Sequence, residues 1–227
     1  KKDNMLLDDL KGKLIVSCQA LPDEPLHSSF IMGRMALAAM QGGASGIRAQ
    51  SKEDILEIQK NVDLPIIGIV KRNYPDSPIY ITPTKKEIDE LLETRSEIIA
   101  LDATDRVRPN GEKVEDLVDY IHANGRLAMA DCSTYEECME AERIGFDIVS
   151  TTLCGYTPYS ELYDGPNFPL MKRLVKDLTK SVLIAEGKIN TPEDLKGALE
   201  IGVHCAVVGG AITRPKQITE RFMRVVK

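Results

Sequence analysis

Eight times along this chain a short, unbroken apolar run is followed by a stretch with helical spacing. The runs are LIVSC (14–18), GIRA (46–49), IIGIV (66–70), EIIAL (97–101), RLAMA (126–130), DIVST (147–151), SVLIA (181–185) and the run that ends at Val208. Their apolar residues are consecutive, not alternating. Such runs are buried on both faces, as in a parallel sheet covered by helices. Eight units in 227 residues predict the α/β class and a closed (β/α)8 barrel, the TIM barrel, as one domain over residues 1–227. An open doubly wound sheet is the alternative, but no G-x-G-x-x-G follows the first run and no division into halves is evident.

Punctuation between the runs agrees. Ser28 is a candidate N-cap for a helix to Gln41, which Gly42 and Gly43 end. Ser51 with Asp54, and Thr134 with Glu137, read as capping boxes for helices to Val62 and Ile144, and Thr84 as the cap of a helix to Thr94. Thr191-Pro192-Glu193 is a third kind of helix start. Further helices are expected over 114–124, up to Lys180 and over 217–226. The polar residues 1–13 read as a flexible or helical N-terminal extension, with Met5 a candidate native start. The segment from Asn73 to Thr82, with two prolines and two tyrosines, reads as a long functional loop.

A net charge of −6 argues against a broad nucleic-acid surface. No apolar run is long enough to span a membrane, and no secretory signal is recognised. Five cysteines without C-x-x-C spacing suggest free thiols and a cytoplasmic location.

The stretch AVVGGAITRP (206–215) carries the first functional signal. Gly209 and Gly210 let an anion approach backbone N–H groups, a helix start behind them adds a positive dipole end, and Arg214 adds a cationic fork. Late in a β/α barrel such a loop commonly holds phosphate.

Polar residues close the other runs: Gln19, Arg48, Lys71, Asp102, Asp131, Thr151 and Glu186. A barrel gathers these ends at one rim, where its active site lies. Lys71 is the sharpest candidate. To act as a base it must be neutral, and bringing it from its reference value to about 7.5 costs roughly 4 kcal/mol. Burial and Arg48 can supply that. Glu186 can handle a hydroxyl proton or hold the lysine, and Asp131 can bind sugar hydroxyls or pair with Arg48. Asp102 is assigned only a structural hydrogen bond. His27, His122 and His204 share no rim position, so no metal site is expected. Cys18, Cys132 and Cys154 read as small pocket-lining residues, not nucleophiles, since none has an evident histidine partner.

Taken together, IVSCQALPDEPLHSS (15–29), GIRA (46–49), PIIGIVKR (65–72), IALDAT (99–104), MAD (129–131), STTLCGYT (150–157), AEGKINTP (185–192) and VVGGAITRP (207–215) resemble the bacterial N-acetylmannosamine-6-phosphate 2-epimerases over nearly the whole chain. Some members carry histidine or serine where Cys154 stands, so the resemblance assigns that residue no catalytic role. It implies interconversion of N-acetylmannosamine 6-phosphate and N-acetylglucosamine 6-phosphate in sialic acid breakdown, without metal or nucleotide cofactor, by a homodimer. It makes Lys71 and Glu186 catalytic. Gln19, Arg48, Asp131 and Arg214 become substrate contacts, with Gly187, Gly209 and Gly210 near the phosphate, and Thr151 joins the substrate-binding set by its place on the rim. Two other functions remain open on the residues alone: an aldolase-type enzyme with a Schiff base on Lys71, and a non-catalytic phosphosugar-binding protein.

Overall fold

A computed structural model describes residues 2–227. Its elements, in order, are α1 (Lys2–Leu10), β1 (Leu14–Cys18), α2 (Ser29–Gln41), β2 (Gly46–Gln50), α3 (Lys52–Asn61), β3 (Ile66–Ile69), α4 (Lys85–Leu92), β4 (Ile98–Asp102), α5 (Val114–Ala123), β5 (Leu127–Asp131), α6 (Tyr135–Ile144), β6 (Ile148–Ser150), α7 (Phe168–Asp177), β7 (Val182–Glu186), α8 (Pro192–Ile201), β8 (Cys205–Val208), α9 (Gly210–Thr213) and α10 (Pro215–Met223). The eight strands pair in chain order, all parallel, and β8 closes on β1. This is the expected (β/α)8 barrel. Residues 2–10 of the N-terminal extension are helical, and Lys1 lies outside the described residues.

Although their apolar residues run consecutively, the strands still alternate in direction. Ile15, Ile67, Ile69, Ile98, Met129, Ile148, Ile184 and Val207 fill the barrel interior. Val16, Ile47, Ile66, Ile99, Ala128, Val149, Leu183 and Ala206 pack outward against the helices. Leu10 joins the interior set, so α1 covers the lower end. The inward positions continue to the strand ends. Lys71 follows Ile69 by two residues, Asp131 follows Met129, Glu186 follows Ile184, and Gly209 follows Val207. The pleat therefore turns these residues toward the upper mouth.

Several boundaries differ from expectation. The ten-residue loop 73–82 folds back on the end of β3. Lys71 bridges Ile81 in antiparallel fashion, Arg72 N donates to Tyr80 O (2.9 Å), and Thr82 N to Val70 O (2.7 Å). The helix expected to reach Lys180 ends at Asp177, and the last helix runs over Pro215–Met223 instead of 217–226. Two expected capping boxes are only half made. Ser51 and Thr134 each accept the N3 amide. The N3 carboxylates are used elsewhere: Asp54 accepts from Ser29 Oγ (2.5 Å), and Glu137 accepts from Ser133 N, Asp105 N and Tyr159 Oη. The complete box belongs to Thr84 and Glu87.

Candidate active site

The barrel mouth opens into a cavity of about 550 Å³. Of the ten residues expected at the site, eight line it: Gln19, Arg48, Lys71, Glu186, Gly187, Gly209, Gly210 and Arg214. Asp131 and Thr151 lie behind its wall. Asp131 is fully buried and takes both forks of Arg48, at Nη1 (3.0 Å) and Nη2 (2.6 Å), and the Thr152 hydroxyl (2.7 Å). Of its two expected roles, it fills that of partner to Arg48. Thr151 Oγ1 donates to Glu186 O (2.9 Å) and accepts from Glu186 N (3.1 Å), so it holds the end of β7 in place.

Arg48 is 1% exposed and reaches from β2 to the cavity at the barrel mouth. Its Nη1 also donates to Glu186 Oε1 (3.3 Å). Burial disfavours its charge, but Asp131 and Glu186 together hold the guanidinium above its ordinary value. Asp102 accepts from Thr104 N (2.9 Å) and Arg106 Nη2 (2.7 Å) and does not line the cavity.

The two candidate proton carriers are tuned toward each other. Burial, then Arg48 and Arg214, bring Lys71 down to about 8; Glu186 and Glu24 oppose the shift. Among the described residues no carboxylate lies within ion-pair distance of its ammonium. Burial pushes Glu186 up to about 7, with Asp131 adding to the rise and Arg48 and Lys71 restraining it. Near neutrality an amine and a carboxyl in one cavity can therefore each be found with or without a proton, which proton transfer requires.

A second part of the cavity suits an anion. Among the described residues, the amides of Gly209, Gly210 and Ala211 donate to no protein acceptor, nor do those of Gly187, Lys188 and Ile189. Gly187 has φ +97 and Lys188 φ +60, a turn that directs successive N–H groups to one side. Thr213 Oγ1 donates to Ser17 O (2.7 Å) and pins α9 to the end of β1. The guanidinium of Arg214 stands beside this cradle.

Seven polar cavity residues were not anticipated: Ser17, Tyr80, Thr152, Tyr156, Lys188, Asn190 and Gln217. Ser17 shares the inward direction of Gln19 and could have been found by counting back two. The others sit on loops or on α10, whose placement the strand pattern does not govern. Two of the three cysteines expected to line the pocket do not: Cys18 and Cys132 face the helix layer. Cys154 lines a small pocket beside Glu186 and Gly187 and not the main cavity. Burial raises all three thiols, that of Cys18 to about 12, which keeps them protonated. Each histidine is tied to a structural partner: His27 to Ala20 O, His122 to Asp147 and His204 to Leu7 O. Among the described residues no group of three His, Cys, Asp or Glu is arranged for a metal ion.

A parallel barrel with an amine, a carboxyl and an amide-lined anion cradle at its C-terminal mouth belongs to the class of barrel enzymes that act on small phosphorylated compounds. Residues 32–227 match the family described as "Putative N-acetylmannosamine-6-phosphate epimerase". The chain belongs to this family. A relative of that description with the 2-epimerase designation, from Clostridium perfringens, is 67% identical over 98% of this chain and 100% of its own length. One from Clostridioides difficile is 64% identical over 98% and 99%. The solved N-acetylmannosamine-6-phosphate 2-epimerase of Clostridium perfringens superposes with a TM-score of 0.96 at 66% identity, covering 97% of this chain and 96% of that one.

Proposed function

We propose that this chain interconverts N-acetylmannosamine 6-phosphate and N-acetylglucosamine 6-phosphate in sialic acid breakdown, as an isomerase that removes and returns the proton at carbon 2. The observation that carries the reading is the pairing of Lys71, lowered to about 8, with Glu186, raised to about 7, in the cavity that also holds the free amides at 209–211.

Carbon 2 lies beside the masked aldehyde at carbon 1. Glu186 suits the proton exchanges of ring opening, because its carboxyl is poised near neutrality. With the ring open, the carbon 2 proton is acidified by the carbonyl. Neutral Lys71 takes it, leaving an enolate. The Arg48 guanidinium, kept charged by Asp131, stabilises the developing oxyanion. Return of a proton to the opposite face inverts the centre. The phosphate, held by the 209–211 amides and Arg214, fixes carbon 2 against the base and supplies binding energy remote from the reacting bond.

Exposed Phe222, Met223, Val225 and Val226 near the C-terminal end support a homodimer, and five free thiols support a reducing, cytoplasmic setting. Proton NMR of N-acetylmannosamine 6-phosphate with the protein in deuterated water tests the reaction. N-acetylglucosamine 6-phosphate carrying deuterium at carbon 2 is the expected product. No conversion would overturn the reading in favour of a binding protein, and borohydride trapping of substrate on Lys71 would favour a Schiff base instead.

A further inference from the structure

Arg214 stands in the wall between two cavities. On one side is the main cavity. On the other is a side cavity of about 280 Å³ between the β1–α2 loop and the start of α10. Glu24 lines only the side cavity. From there it accepts Arg214 Nε at 2.7 Å and Nη2 at 3.5 Å. Arg214 Nη1 donates to no protein acceptor among the described residues. The same carboxylate accepts from Leu21 N, and Glu24 N donates to Leu21 O (2.9 Å). Leu21 in turn lines the main cavity. Glu24 thus joins a turn at the cavity mouth to the back of the arginine.

We propose that Glu24 is the positioning residue of phosphate recognition: it grips Arg214 from behind, on the edge away from the substrate, and leaves the Nη1 edge to the phosphate beside Gly209 and Gly210. The inference rests on the phosphosugar reading above. An arginine offers five N–H donors in a rigid plane, enough for a carboxylate and a phosphate on different edges. Left alone, its long side chain would lose rotamer freedom each time substrate bound. At 23% and 24% side-chain exposure the pair adds little to stability; its effect is orientation. A carboxylate competing with phosphate for the same edge would have to line the main cavity, and Glu24 does not.

Glu24→Ala and Glu24→Gln test this, with inorganic phosphate binding measured by calorimetry beside steady-state epimerisation. An outer partner that orients a metal-binding side chain is commonly worth about tenfold or more, and the same order is expected for an arginine that binds phosphate. In Glu24→Ala the phosphate Kd and the substrate KM should rise together by about that factor, with kcat little changed. Glu24→Gln, which keeps one acceptor oxygen, should lose less. Tighter phosphate binding in either variant would overturn the proposal and make Glu24 a competitor. Unchanged phosphate affinity in a folded variant would overturn it as well. Circular dichroism establishes folding, and Glu24→Gln decides the matter if Glu24→Ala does not fold. Failure of the unmodified protein to epimerise would sink the functional reading alone, because phosphate affinity is read separately.

Discussion

Replacing Lys71 with methionine should remove activity and make the protein more stable at neutral pH. The native environment moves this amine from its ordinary 10.5 to about 8, a displacement worth about 3 kcal/mol. The protonated form is what the fold disfavours. Between pH 8 and 10.5 the unfolded chain holds a proton that the native chain has released, so stability rises with pH across that window. The full penalty is therefore present below about pH 8 and fades toward 10.5. Methionine fills a similar volume and carries no charge. Glu186 trims the gain, because Lys71 restrains the rise of its carboxyl and that restraint is lost. The expected stabilisation at pH 7 is about 1–3 kcal/mol, shrinking to below about 1 kcal/mol at pH 10. Urea unfolding of both proteins at the two pH values measures it. A less stable variant at pH 7, or a difference that does not shrink at pH 10, would refute the claim that Lys71 is held in a costly charge state.

Other consequences can be measured on the same material. The value of kcat/KM should climb with pH to a midpoint near 8 as Lys71 sheds its proton; a flat profile from pH 6.5 to 9 would remove Lys71 from the role of base. Asp131→Asn leaves the buried Arg48 with Glu186 alone and should cost about 3 kcal/mol, read as a lower Tm; an unchanged Tm would show that Arg48 does not depend on Asp131. Gly210→Ala should raise KM by blocking the anion's approach while leaving the fold intact. The added Cβ would meet Gln217 Oε1 at 2.0 Å, and that atom is the end of a flexible side chain able to swing aside. An unchanged KM would place the phosphate elsewhere.

The amino-acid order by itself determined the barrel. Eight consecutive apolar runs, each followed in turn by a helical stretch, admit few other arrangements, because runs without alternation must be covered on both faces. It also placed most of the mouth. Gln19, Arg48, Lys71 and Glu186 fall at strand ends, and parallel closure brings all such ends to one rim. What strand position could not settle was depth and partnership. Whether Asp131 would meet a sugar or Arg48, and whether Thr151 would face the cavity or the backbone of Glu186, depended on register between neighbouring strands and on side-chain length. Arg48 reaches across the barrel to Asp131 and Glu186, 83 and 138 residues away in sequence. The grip of Glu24 on Arg214 spans 190 residues. The loop residues Tyr80, Tyr156 and Lys188 were hidden for a related reason: loops follow no hydrophobic period. The proton affinities of Lys71 and Glu186 belong wholly to the tertiary structure, since burial and the charges set around each side chain exist only once the barrel has closed.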